Sequence, residues 1–173
     1  MGRYRGTIWG MGYKRPIRSA RGRRIASAVG ALLVFLAFGG LIVRGSDHDP
    51  ARWHVDPTTA TRSSSSNDFM AAPSGATAGE IDLALGLDDP QAALVAFDRA
   101  ARVAPRTQVV AGSVEAGHVT YVQRSRLIGF PDYVSVKRVA GGLAIWSRAR
   151  YGLSDFGVNE RRVRGWLSEA GLV

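Results

Sequence analysis

An α+β fold is predicted for this chain: a four-stranded antiparallel sheet with two packed helices, preceded by one transmembrane helix. Three features of the 173-residue sequence point to it. Residues 25–43 run for nineteen positions without a charged side chain. Four short β-rich stretches separated by turn residues lie between positions 107 and 150. A stretch with helical apolar spacing flanks them on each side.

The N-terminal part is set by charge. Arg3, Arg5, Lys14, Arg15, Arg18, Arg21, Arg23 and Arg24 stand in residues 1–24 with no acidic residue among them, and Arg44 is the ninth excess positive charge. From residue 45 onward 14 basic residues balance 14 acidic ones, so the net charge of +9 belongs to the N-terminus. A nucleic-acid-binding domain carries its charge on the folded part, and no nucleic-acid partner is expected. The run IASAVGALLVFLAFGGLIV at 25–43 would measure about 28 Å as a helix, close to a bilayer's hydrocarbon thickness. The positive charge ahead of it predicts a cytoplasmic tail at 1–24, a bilayer contact through 25–43 and a periplasmic C-terminal domain at a bacterial inner membrane. Ala37-Phe38-Gly39 leaves open the alternative of a cleaved signal peptide. The absence of cysteine excludes disulfides and thiol chemistry.

Residues 44–79, rich in Ser, Thr, Ala, Pro and Gly, have the composition of a linker, although Trp53, Phe69 and Met70 offer apolar side chains for docking. The folded domain is expected over 80–173. Asp88 or Asp89 caps a helix with Pro90 at its first position and Leu94, Val95, Phe97, Ala101 and Val103 available for packing; Pro105 stops it. Strands follow at about 107–114, 118–127, 133–139 and 143–150, joined by Glu115-Ala116-Gly117, by Gly129-Phe130-Pro131-Asp132 and by Gly141-Gly142, which implies an antiparallel meander. The last helix spans about 160–170. Asn159 is its expected cap, Val163, Trp166, Leu167 and Ala170 form its apolar stripe, and Gly171 suits a left-handed C-terminal position.

Arginines are the main candidates for a binding site. Arg124 and Arg126 share one face of the second strand, and Arg148 and Arg150 share one face of the fourth. With Arg161 on the final helix they would hold a phosphate, carboxylate or lipid head group if they converged. The opposing reading has Asp132, Asp155, Glu160 and solvent neutralise them. The stretch Gly152-Leu153-Ser154-Asp155-Phe156-Gly157 sits between strand and helix like a nucleophile elbow, but its second glycine is one residue too far and no residue places His118 beside Ser154. Ser154 and Asp155 are read instead as holding a turn. No catalytic residue, cofactor or metal is expected. Asp47, His48, Asp49, His54 and Asp56 lack a recognised ligand spacing.

The pieces Arg124-Ser125, Phe130-Pro131-Asp132, Arg150, Gly152-x-Ser154-Asp155-Phe156-Gly157-Val158-Asn159 and Arg161 or Arg162 are similar to the pattern of a bacterial family, domain of unknown function 1499. Ala149 and Trp146 depart from it where Ser and Arg are common. The resemblance implies a membrane segment ahead of the domain and implies no activity. It marks Asp132, Gly152, Ser154, Asp155, Gly157 and Asn159 as motif residues. The function expected is a non-catalytic accessory or scaffold role in the cell envelope, with a membrane-protein partner. The alternatives are a receptor for an anionic small molecule or lipid head group and, last, a hydrolase.

Overall fold

The computed structural model describes Gly22, residues 24–31, 33, 34, 39, 45, 47–62 and 66–173. The chain divides into two compact units, Met1–Phe38 and Gly39–Val173. In the second unit a short helix α1 (Pro50–Trp53) precedes strands β1 (Asp68–Ala72) and β2 (Leu83–Ala84), helix α2 (Pro90–Val103), strands β3 (Thr107–Ser113), β4 (His118–Arg124), β5 (Pro131–Val139) and β6 (Gly142–Ala149), and helix α3 (Val158–Glu169). The sheet has six strands in the order β2-β1-β6-β5-β4-β3. It is mixed, because β1 pairs with β2 in parallel while every other neighbouring pair is antiparallel.

The expected four-stranded antiparallel sheet is therefore corrected. The meander β3 to β6 is present, but β1, from the stretch with linker composition, adds to the β6 edge with Asp68 opposite Arg148 and Ala71 opposite Ile145. β2 then extends the sheet by a parallel pair. The expected transmembrane helix is corrected as well. Among the described residues no helix is long and apolar enough to cross a membrane. Residues 32, 35–38 and 40–43 of that stretch, and nearly all of the expected tail at 1–24, lie outside the described residues.

Strand alternation makes the sheet two-faced. Phe69, Ala71, Val119, Tyr121, Val134, Val136, Leu143 and Ile145 point toward α2 and α3 and form the main core with Leu94, Phe97, Val163, Trp166 and Leu167. Fully burying a side chain of this size contributes roughly 1.5–3 kcal/mol. Trp166 anchors the two helices, its ring meeting Phe97 at 5.7 Å and Tyr121 at 5.9 Å, both edge-on. Helix α2 starts where expected: the Asp89 carboxylate accepts from the amides of Gln91 and Ala92 at 3.1 and 2.9 Å, ahead of Pro90. Val95 and Val103, expected to pack, face solvent instead.

Helix α3 begins at Val158, with Gly157 in the left-handed region at φ 73°. Asn159 is not its cap. The Asp155 carboxylate accepts from the amides of Gly157 at 3.0 Å and Asn159 at 2.6 Å, which frees the Asn159 side chain to turn inward.

The opposite sheet face is covered by the 47–62 segment, which runs across it as a strap. Trp53 stacks on Tyr133 with ring centroids 3.9 Å apart and planes 4° from parallel. Met70 and Trp146 pack with Ala60. Gly112 is required at φ 79°, since a Cβ there would sit 2.0 Å from the His118 carbonyl oxygen of β4 and 2.8 Å from His54 Cε1 of the strap.

Candidate functional site

On the strap face, β4 projects Thr120, Val122 and Arg124, β5 projects Tyr133, Ser135 and Lys137, and β6 projects Trp146 and Arg148, with Arg150 just past its end. Arg148 is buried, and among the described residues it has no carboxylate partner. Its Nη2 donates to the Trp53 carbonyl at 2.8 Å, its Nη1 reaches Ser135 Oγ at 3.4 Å, and its guanidinium lies 4.1 Å from the Trp146 ring centroid. Burial pulls its pKa down to about 10, offset by the fields of Tyr133 and Asp68, so it stays charged at neutral pH. Arg150 Nη1 donates to the Asp47 carbonyl at 2.7 Å and to Tyr133 Oη at 3.3 Å. Arg124 Nη1 donates to the Gly129 carbonyl at 3.1 Å, and its Nη2 lies 2.8 Å from His48 Nε2. His48 Nδ1 closes the loop to Tyr133 Oη at 2.8 Å.

A histidine pair sits beside this group. His54 and His118 stack at 3.9 Å, and His54 Nδ1 contacts Thr120 Oγ1 at 2.9 Å. His118 Nε2 is buried with no hydrogen-bond partner among the described residues. Burial, followed by the field of His54, pulls the His118 pKa down to about 4. His54 is lowered by burial, opposed by Asp56, and His48 by burial and then by Arg124 and Arg150. The Asp56 carboxylate, which faces the pair together with Lys137, behaves differently. Burial raises it, but hydrogen bonds from Lys137 and Thr58 outweigh that and leave it at about 2.

The sign of the pH dependence follows. Each histidine titrates lower in the fold than in the unfolded chain, so stability is fully present above pH 6.5 and is lost as pH falls through 6.5 toward 4. Asp56 holds its contribution throughout that interval. Denaturant unfolding at pH 7.5 and 4.5 is expected to show a loss of roughly 2 kcal/mol, after allowing for solvent screening of half-buried rings. A His118→Gln variant should flatten most of the slope, and an unchanged slope in that variant would refute the assignment.

On the helix face, the family-like turn is consumed by structure. Arg162 donates from Nη2 to Asp132 Oδ2 at 2.6 Å, from Nε to Gln123 Oε1 at 2.7 Å, and from Nη1 to Ser147 Oγ at 3.1 Å and to Asn159 Oδ1. Ser147 Oγ donates to Asn159 Oδ1 at 2.7 Å, and Asn159 Nδ2 donates to the Asn67 carbonyl at 2.9 Å, fastening α3 to β6 and to the chain ahead of β1. Burial raises the Asp132 carboxyl, opposed by Arg162. Ser154 Oγ accepts from the Phe156 amide at 3.3 Å, and the Gly152 carbonyl accepts from Asn67 Nδ2 at 2.7 Å.

The five arginines singled out in the sequence do not form one site. Arg124, Arg148 and Arg150 share the strap face. Arg161, on the first turn of α3, donates from Nη1 to the Phe156 carbonyl at 3.0 Å. Arg126 lies exposed in the β4–β5 loop and makes no hydrogen bond or ion pair among the described residues. Arg126 borders a cavity of about 390 Å³ shared with Arg106, Gln108, Val122, Arg124, Ser125 and Gly129.

Sequence reasoning named Arg162 only as one of two matches to the family pattern and His48 and His54 only as residues without a ligand spacing, and it missed Arg106. Arg162 stands four residues before Trp166, on the edge of the apolar stripe, but nothing local in the sequence names its partners Asp132, Gln123 and Ser147. Trp53 did carry a signal, as a lone large aromatic in a polar stretch.

Fold and site together define a small α+β domain with a two-faced sheet, buried arginines and a capped signature turn. A family model described as "Protein of unknown function (DUF1499)" matches residues 55–169, and the chain belongs to that family. Among curated proteins and among solved structures, nothing matches the chain.

Proposed function

We propose that this chain is a non-catalytic accessory or scaffold protein of the cell envelope. The observation that supports this best is how its arginines are used. Arg124, Arg148, Arg150, Arg161 and Arg162 each donate to the protein's own carbonyls, carboxylates, hydroxyls or rings, so an incoming soluble anion would have to displace bonds that hold the fold. Chemistry has little support in the geometry. Ser154 Oγ faces the Phe156 amide, and the histidine-bearing strap lies on the other sheet face.

A periplasmic location for the domain is part of the proposal, supported by the excess of basic over acidic residues in 1–24 and by the lack of cysteine. A reading as a receptor for a soluble anion is separated from the scaffold reading by titration calorimetry of the full chain with inorganic phosphate and a dicarboxylate. The scaffold reading expects no saturable heat.

A further inference from the structure

One end of the sheet is built unlike the rest of the molecule. The loop between β4 and β5 and the loop between β6 and α3 emerge side by side, and Phe130 meets Tyr151 across them at 5.9 Å. Leu127, Leu153 and Phe156 are 83 %, 85 % and 86 % exposed, the highest values for large apolar side chains among the described residues. Ile128, Phe130, Tyr151 and Val158, in or next to the same two loops, are exposed as well. Solvent-facing residues of this size cluster at interaction sites, whereas scattered single ones need no explanation.

Phe156 carries a second, independent sign. Its φ is 53°, in the left-handed region that aromatic residues avoid. Its carbonyl is clamped by Arg161 Nη1 and its amide by Ser154 Oγ, so the strained backbone is locked and the ring is directed into water. The left-handed backbone lies within the turn by which Asp155 caps α3, whereas exposure of the ring adds nothing to the fold; strained backbone concentrates at working sites.

Charge decides what the patch suits. Arg106 and Arg126 flank it, both exposed, and line the 390 Å³ cavity with Arg124 and Gln108. Within residues 125–130 and 151–157 the only acidic side chain is Asp155, whose two oxygens are both taken by main-chain amides. On the other side the turn at Ser154, Asp155 and Gly157 borders Asp68, Asp82 and Glu160, the first two paired with Arg62 and the last with Arg164. Apolar tips flanked by exposed arginines, with the neighbouring carboxylates already paired, are complementary to an anionic lipid surface: the tips enter the acyl boundary while guanidiniums meet phosphates.

We propose that the loop end formed by residues 125–130 and 151–157 docks on an anionic phospholipid bilayer, with Leu153, Phe156 and Leu127 inserting and Arg106 and Arg126 contacting lipid phosphates. This rests on the scaffold reading and names the surface on which the scaffold sits.

The cysteine-free chain permits a direct test. Single Phe156→Cys and Leu153→Cys variants of the full chain, labelled with an environment-sensitive nitrobenzoxadiazole dye, are mixed with phosphatidylcholine vesicles with and without phosphatidylglycerol. The expected result is a severalfold, blue-shifted rise in emission with phosphatidylglycerol only, none with soluble glycerol phosphate, and none for a label at Val103→Cys on α2. Arg106→Gln with Arg126→Gln should weaken the response by roughly tenfold or more.

A chain that sediments with the vesicles while the dye at 156 stays in water would show binding through another segment and would overturn the proposal. So would a photo-crosslinker at Leu153 that captures a discrete protein in cells in place of lipid. Either result leaves the scaffold reading standing if calorimetry still finds no soluble-anion binding, whereas saturable anion binding defeats that reading whatever the dye reports.

Discussion

Arg162→Met is expected to lower stability by about 3–5 kcal/mol, because breaking a buried ion pair from one side leaves its partner charged and dry. Asp132 is 9 % exposed and depends on Arg162 Nη2 at 2.6 Å for compensation. The same substitution strips hydrogen bonds from Gln123, Ser147 and Asn159, so β4, β6 and α3 all lose a common tie. Asp132 is already raised by burial with Arg162 present. Without Arg162 the folded chain would hold the Asp132 proton more tightly than the unfolded chain does, so the deficit relative to the parent should shrink as pH falls toward the carboxylate range. Urea or guanidinium unfolding across pH measures this. Asp132→Asn in the Arg162→Met background should recover part of the loss, and strict additivity of the two substitutions would show that the pair is not coupled.

Trp53→Ala is expected to cost about 3–5 kcal/mol, the range for removing a large buried aromatic. Trp53 is only 9 % exposed, covers Tyr133 face to face, and lies within 5.7 Å of the Arg148 guanidinium. Its removal opens the strap face to water around a charge that has no carboxylate partner among the described residues. Trp53→Phe keeps the stack and should retain most of the stability. Equilibrium denaturation of both variants decides the matter. A loss below about 1 kcal/mol for the alanine would mean that the strap rests on the sheet without supporting it.

These two residues also show what the sequence could and could not reveal. The strands over 107–150 were legible because alternating apolar residues such as Val119 and Tyr121 mark one face and Gly117 and Gly141 mark the turns. β1 was not, because Phe69, Met70, Ala71 and Ala72 are all buried and do not alternate, in a stretch otherwise rich in Ser and Gly. β2, two residues long, is too short for any period to register. Arginine parity correctly placed Arg148 and Arg150 on one face, but where they point depends on Trp53, Asp47 and Tyr133, which lie far away in sequence. Asn159 looked like a cap because local chemistry favours Asn there. Its inward role depends on Ser147 and Arg162, contacts that only the tertiary fold creates.

The central claim is that the arginines serve the fold and that no soluble anion occupies them. Titration calorimetry of the full chain with inorganic phosphate and with a dicarboxylate, at neutral pH and low salt, tests it most directly. No saturable heat is expected for the parent, and none for Arg124→Gln or Arg150→Gln. Saturable micromolar binding that either substitution abolishes would contradict the claim and make this face a receptor site.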